Sequence, residues 1–117
     1  MQAEEIAANA VPFVRYLRAN GTAPNAPVVL VEGTRDGTGW ILPSMFAQQA
    51  AKQVALRQAY NTLRGEGVEN LFYVNMSNLS DPVLDGTVCG VHSADYGTYN
   101  VAKFYAQWLP SILGAAD

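Results

Sequence analysis

The chain has 117 residues, of which 50% are hydrophobic and 15% are charged, so it can fill a core and is not disordered by composition. Its net charge of -3 argues against nucleic acid as a partner, because phosphate binding needs clustered Lys and Arg. No apolar run reaches the roughly 18 residues of a membrane span, and the acidic start is unlike a secretory signal. We therefore expect a single soluble domain over residues 1–117, with no membrane partner and no visible signal for its localisation.

The first predicted elements are a helix and a short strand. Pro12 interrupts the helix and predicts that its first turns form a separate or kinked piece. Asn20 and Gly21 supply a C-terminal stop, and residues 27–31 form a continuous, β-branched apolar run typical of a strand covered on both faces. The helix is indicated by apolar residues at helical spacing, namely Ile6, Ala10, Phe13, Val14 and Leu17.

The rest of the chain repeats this alternation. A Gly-rich loop at 33–43 leads into a helix at 44–64, and a second buried strand follows at 71–74. A loop at 75–94 precedes the last helix, which starts at about Asp95 and in which Pro110 is expected to kink the final turn. The apolar stripe of this helix consists of Val101, Phe104, Tyr105, Trp108, Leu109 and Ile112.

Strand–helix–strand with buried strands predicts right-handed crossovers and a parallel sheet. The fold class is therefore α/β, with three α/β/α layers. Two strands are too few for such a sheet to stand alone. Either the chain holds further strands, or something outside it completes the sheet. In open α/β sheets functional groups gather in the loops after the strands, which here are 33–43 and 75–94.

The loop at 75–94 contains the only His and the only Cys, which exclude an internal disulfide and a structural Cys/His zinc site. We expect no metal and no cofactor. His92 can act as a general base because the pKa of imidazole lies near neutrality; the alternative is a loop histidine bonded to a carbonyl. Cys89 and His92 are close enough to form a thiol–imidazole pair, although Cys89 as a half-buried filler is the preferred interpretation.

Three further side chains belong to the segment after the first strand. Trp40 either lines a ligand groove beside His92 or anchors its loop on the core. Glu32 and Arg35 are expected to be surface or loop-fixing charges.

Three segments carry a family resemblance: APVVLVEG at 26–33, LRQAYNTLRGEGVENLFYV at 56–74 and DGTVCGVHSADYG at 85–97. From residue 27 onward the chain resembles the C-terminal half of an SGNH (GDSL-type) hydrolase, and the stretch at 13–27 also fits. It is most similar to the bacterial branch placed with carbohydrate acetylesterases. The resemblance implies part of a flavodoxin-like fold, hydrolysis of carboxylic esters and a carbohydrate ester as ligand.

Members of that family use a Ser nucleophile in a Gly-Asp-Ser block, Gly and Asn residues in the oxyanion hole, and a His oriented by an Asp three residues before it. By this resemblance His92 takes the general-base position. Cys89 occupies the position of the Asp, and Ser93 replaces the usual Pro. Asp81 and Asp85 lie in the same loop and are alternative acids, although their spacing does not match the motif. The Ser, Gly and Asn blocks have no counterpart, which implies that the N-terminal half is missing.

The resemblance thus implies an esterase-like fragment that is inactive alone, in which Asp95 caps the last helix. The alternatives are a non-catalytic binding module, an oligomerising pseudoenzyme, or a subunit that completes a split esterase. We also expect the strand edge at 28–31 to be exposed. A missing N-terminal half would cover this edge, or a second copy would pair with it antiparallel in a two-fold homodimer.

Overall fold

A computed structural model describes residues 1–33, 42–76, 87 and 92–114 of the protein. Over these ranges the elements follow the predicted alternation of helix and strand. They are α1 (Ala3–Asn20), β1 (Val28–Val31), α2 (Pro43–Gly65), β2 (Leu71–Val74) and α3 (Asp95–Gly114). Each predicted helix and strand is confirmed, with bounds that differ from the prediction by a few residues.

The sheet is parallel, and its two faces are covered by different helices. β1 and β2 pair in register from Val28 opposite Leu71 to Val31 opposite Val74. Since alternate residues of a strand point to opposite faces, each strand contributes to two cores. The α1/α2 core contains Val14, Leu63 and Leu71, with Val28 and Leu30 packed against it. The α3 core contains Val74, Met76, Phe104 and Ile112, with Val29 and Val31 packed against it. The predicted three-layer α/β/α arrangement is confirmed.

The predicted break in the first helix is wrong, because α1 runs without interruption through Pro12. Pro12 and Ala8, whose carbonyl loses its usual helical partner, both lie on the exposed side of α1. Water can bond that carbonyl, and the proline ring does not disturb the core. α1 ends as predicted: the N–H of Gly21 donates to the oxygen of Leu17 at 2.9 Å. A Cβ at Gly21 would meet that oxygen at 2.6 Å, so the turn requires glycine.

The other helix ends follow simple backbone rules. α2 begins with Pro43, whose missing N–H would have had no helical partner in the first turn. After α2 the chain turns at Gly67, where φ is +80° and the N–H donates to the oxygen of Arg64 at 3.1 Å. Asp95 is the first residue of α3 instead of its cap, and α3 continues past Pro110 to Gly114. An acidic residue in the first turn still favours the helix through its dipole.

Candidate functional site

The segment with the predicted general base lies between β2 and α3. Thr87 and Ser93 form an antiparallel bridge, which brings together the two ends of the stretch that carries Cys89 and His92. His92 is exposed and lies three residues before the start of α3. An imidazole that solvent can reach, next to a backbone bridge, is suited to exchange a proton with a bound molecule.

Several predicted site residues lie outside the described residues. They are Arg35, Trp40, Asp81, Asp85 and Cys89. The proposed roles of these side chains therefore stay predictions, and so does the choice among the candidate acids.

Glu32, expected at the surface, is buried: the residue is 2% exposed. It follows β1 directly, and its side chain continues the alternation of Val28 and Leu30 toward the α2 layer. Its carboxylate accepts a hydrogen bond from Arg57 of α2, so it points inward. One feature of the sequence indicated that Glu32 could be buried: it directly follows an uninterrupted apolar strand and extends it by one residue.

A small polar cluster surrounds this carboxylate. Oε1 of Glu32 accepts hydrogen bonds from Nη2 of Arg57 at 2.7 Å and from the hydroxyl of Tyr73. The Arg57 guanidinium lies 5.7 Å from the centre of the Tyr73 ring, which packs against Tyr60 with 5.2 Å between ring centres. The backbone N–H of Glu32 donates to Val74 at 3.1 Å. One carboxylate therefore ties together the C-terminal ends of both strands and the middle of α2.

Protonation in this cluster is set by burial and by the ion pair. Burial, reinforced by the hydrogen bond to Glu32, raises the pKa of Tyr73 to about 12. Hydrogen bonding to Glu32 raises the pKa of Arg57 above its ordinary value. At neutral pH both groups keep their protons and donate to Oε1. Oε2 of Glu32 is buried as well, yet it has no hydrogen-bond partner among the described residues.

An open, mainly apolar groove of about 680 Å³ lies beside Glu32, between the N-terminal halves of α1 and α2 and along β1. We call this the edge groove; its apolar lining includes Ile6, Ala10, Phe13, Leu30, Val31 and Leu56. Phe13 is 61% exposed there. Glu32 also lines the groove. Among the described residues β1 pairs only with β2, so the strand that lines the groove has one edge without a partner in these ranges.

The described ranges offer neither a metal site nor a membrane span. No group of three His, Cys, Asp or Glu side chains there is placed to hold a metal ion. Within the same ranges, none of the helices combines the length and apolarity needed to cross a membrane.

A model of the GDSL-like lipase/acylhydrolase family matches residues 1–110. The chain belongs to this family. The GDSL-like chain also superposes, with a TM-score of 0.89 and 25% identity, on a crystal structure from Bacteroides ovatus ATCC 8483 described as that of a GDSL-like lipase. That match covers 97% of this chain and 33% of the Bacteroides chain. No curated protein matches the sequence. The family and the partial α/β fold inferred from the sequence are thereby confirmed.

Proposed function

We propose that this chain supplies the general-base portion of a carboxylic-ester hydrolase and is inactive in that reaction by itself. The observation that carries the proposal is the family match over residues 1–110, which includes the exposed His92 and its bridged segment. The 117 residues contain no Gly-Asp-Ser block, so the nucleophile has to come from another polypeptide segment.

In the proposed reaction the hydroxyl of that serine attacks the ester carbonyl while its proton passes to the imidazole of His92. The imidazolium then returns the proton to the departing alcohol. Water hydrolyses the acyl-enzyme by the same proton transfers in reverse order, which releases the acid and restores the serine. The proposed substrate class is the acyl ester of a carbohydrate, following the branch that the sequence resembles.

The position from which the family orients its catalytic His differs in this chain. Cys89 stands at the position where the family places an Asp. A carboxylate at that position is the group that fixes the catalytic imidazole tautomer in such triads, and an otherwise complete triad without it loses much of its rate. We therefore expect the isolated chain to hydrolyse p-nitrophenyl acetate no faster than its His92→Ala variant. Turnover that depends on His92, with an acyl-enzyme visible by mass spectrometry, would contradict this expectation.

A chimera tests the active form of the proposal. In the Bacteroides ovatus protein, the matched third is replaced by these 117 residues, and the parent protein serves as the positive control. We expect His92-dependent hydrolysis of p-nitrophenyl esters that Cys89→Asp increases by about tenfold or more, since a carboxylate holds the catalytic tautomer. An inactive, folded Cys89→Asp chimera beside an active parent would refute the proposed role of His92.

A second candidate function is that of a non-catalytic interaction module, favoured by the edge groove and by the loss of the Asp. The same chimera separates the two functions. An interaction module would fold with the rest of the Bacteroides protein and would remain inactive even with Cys89→Asp.

A further inference from the structure

Asn20, the last residue of α1, is the one asparagine of the sequence that is followed by glycine. In such a pair the main-chain nitrogen of glycine can attack the side-chain carbonyl carbon of asparagine, because glycine has no side chain to hinder the approach. Asn20 and Gly21 are both exposed, so water, the co-reactant of this chemistry, has access to them. Asparagine is among the residues that are chemically labile in proteins, and this pair is therefore susceptible to deamidation.

The closed end of α1 opposes the reaction in three ways. The N–H of Gly21 donates to the oxygen of Leu17 at 2.9 Å, which keeps the proton on the nitrogen that would have to attack. The side-chain amide of Asn20 donates to the oxygen of Tyr16 at 3.1 Å, which directs that side chain toward the preceding turn. A helical ψ of about −42° also holds the Gly21 nitrogen far from the plane in which a five-membered ring would close. The reaction therefore requires the last turn of α1 to open.

The side chain of Arg18 ties the segment after this turn back to the helix. Its guanidinium donates to the oxygens of Pro24 at 2.8 Å and Ala26 at 2.7 Å. The same guanidinium also donates to the oxygens of Glu69 and Asn70, so the segment is fixed to the N-terminal end of β2 as well. These bonds oppose the opening of the turn, and we expect them to limit how often the Asn-Gly pair reaches a reactive conformation.

We propose that Asn20 is a site of spontaneous deamidation, reached by local opening of the last turn of α1 and suppressed while that turn is closed. In the first step the deprotonated nitrogen of Gly21 forms a bond to Cγ of Asn20, and the side-chain nitrogen leaves as ammonia, which yields a cyclic imide. Water then adds to one of the two imide carbonyls and opens the ring. The product is aspartate or isoaspartate at position 20, and no group is oxidised or reduced.

Either product prevents the turn from closing as before. Isoaspartate carries the main chain through one additional methylene group, so the N–H of Gly21 no longer meets the oxygen of Leu17. Aspartate has no N–H for the oxygen of Tyr16, and its negative charge lies at the negative end of the helix dipole. A modified turn therefore stays open for longer, and the loss of the amide loosens the N-terminal end of the sheet.

Peptide mapping by mass spectrometry tests the site in the whole chain. At mildly alkaline pH, we expect the mass of the peptide that contains Asn20 to rise by one unit about tenfold or more faster in concentrated urea than in the folded protein. Labelling by an isoaspartyl methyltransferase should identify the isoaspartate. Asn25, which is exposed and precedes alanine, is the control and should stay unmodified. Equal rates in the folded and unfolded chain would overturn the proposal, as would the absence of modification at Asn20 in urea.

Two variants test whether the opening is local. Arg18→Ala should speed the reaction severalfold in the folded chain and Arg18→Lys less so, whereas Arg64→Ala should leave the rate unchanged. Below the unfolding transition, the rate should scarcely depend on urea concentration, because a local opening exposes little surface. A rate that rises steeply with urea, in parallel with global unfolding, would overturn the local mechanism. Equal rates for Arg18→Ala and Arg64→Ala would overturn the role assigned to Arg18.

The consequence for stability is tested with a mimic of the aspartate product. Asn20→Asp should have a Tm several degrees below that of Asn20→Gln, which keeps an uncharged amide at this position. Asn20→Gln should also abolish the rapid gain of mass. Equal Tm values for the two variants would refute the proposed loosening, and a gain of mass that persists in Asn20→Gln would place the reaction at another residue.

Discussion

The two ends of the small sheet are held by opposite charges, with different results. At the N-terminal ends of the strands, the Arg18 guanidinium donates to four backbone carbonyls, at distances of 2.7 to 3.1 Å. These carbonyls belong to Pro24, Ala26, Glu69 and Asn70. At the C-terminal ends, Glu32 receives two hydrogen bonds on one oxygen and none from described residues on the other.

This difference suggests that the N-terminal end of the sheet is structural and that the C-terminal end is the side on which a site would lie. At the N-terminal end, the Arg18 guanidinium bonds neutral carbonyls that all belong to this chain. The adjacent core of Val14, Leu63 and Leu71 is buried. The C-terminal end borders the edge groove, and the segment that carries His92 lies further along the chain, between β2 and α3. In α/β proteins that end is where ligands bind. An incompletely satisfied carboxylate is therefore found where a partner or a substrate would be expected.

The largest expected effect on stability comes from a cavity in the core next to the N-terminal end of the sheet. Leu63 is 0% exposed, and Leu63→Ala should lower the free energy of unfolding by about 3 kcal/mol through lost burial and a residual cavity. Urea denaturation followed by circular dichroism measures this loss. Val54→Ala on the exposed side of the same helix is the control and should change stability by less than about 0.5 kcal/mol. Similar losses for both variants would mean that this core is not the rigid part of the molecule.

The second-largest effect is expected for Arg18→Ala, which should lower the free energy of unfolding by about 2 kcal/mol. This is less than the sum over its four hydrogen bonds, because most of them are exposed. Arg64 offers a matched control, since within the described part of the chain it donates one bond, to Val68 at 3.3 Å, and Arg64→Ala should cost about 0.5 kcal/mol or less. Arg18→Lys should restore only part of the loss, because an ammonium cannot reach four carbonyls in the same geometry. Full rescue by Lys would show that charge alone matters at this end.

An alkaline titration tests the hydrogen bonding of Tyr73 at the C-terminal end of the sheet. Folding raises the pKa of Tyr73 from 10.0 to about 12, so its contribution is complete below about pH 10 and is lost as the pH rises toward 12. Between these limits the wild type should lose about 1 kcal/mol more stability than Tyr73→Phe, after allowance for solvent screening. The five other tyrosines are common to both proteins, so the difference isolates Tyr73. Parallel curves would place the Tyr73 hydroxyl outside the Glu32 cluster.

The smallest expected effect belongs to an exposed pair beside the N-terminal end. Nε of Arg15 donates to Glu66 at 3.0 Å, and the hydrogen bond to Arg15 lowers the pKa of Glu66 below 4.5. The pair therefore contributes above the ordinary pKa of Glu66, and its contribution disappears as the pH falls. The stability difference between wild type and Arg15→Gln, largest at neutral pH and low salt, should vanish in about 1 M NaCl. A difference that resists salt would indicate a buried contact.

The sequence predicted the framework well because the framework depends on local signals. Apolar periodicity located the helices, two short apolar runs located the strands, and Gly21 located the end of α1. Pro12 led to the wrong prediction of a break, because a proline is tolerated inside a helix when the carbonyl that loses its partner faces solvent, and the sequence does not show which side faces solvent. Glu32 was misassigned since its burial depends on Arg57 and Tyr73, which lie 25 and 41 positions further along the chain.

The candidate site was predictable only in part. His92 was identified from a short motif that resembles the family, and its role as general base stays a prediction. The shape of the edge groove could not be predicted from the sequence, because that shape depends on how α1 and α2 pack relative to β1. The edge of β1 that has no partner among the described residues followed, in contrast, from counting two strands in a parallel sheet.

Pro12 has one more consequence, for the kinetics of local opening. It has no amide proton, so the helical hydrogen-bond ladder of α1 has one rung fewer, between Ala8 and Pro12, just before Val14, which packs on Leu63 and Leu71. Helix fraying that starts at Ala3 can stop there without disturbing Val14. We expect amide hydrogens before Pro12 to exchange through subglobal opening, and those of Val14 and Leu17 to exchange only with global unfolding. Exchange of the first group would then slow if a ligand occupied the edge groove, since Ile6 and Ala10 line it.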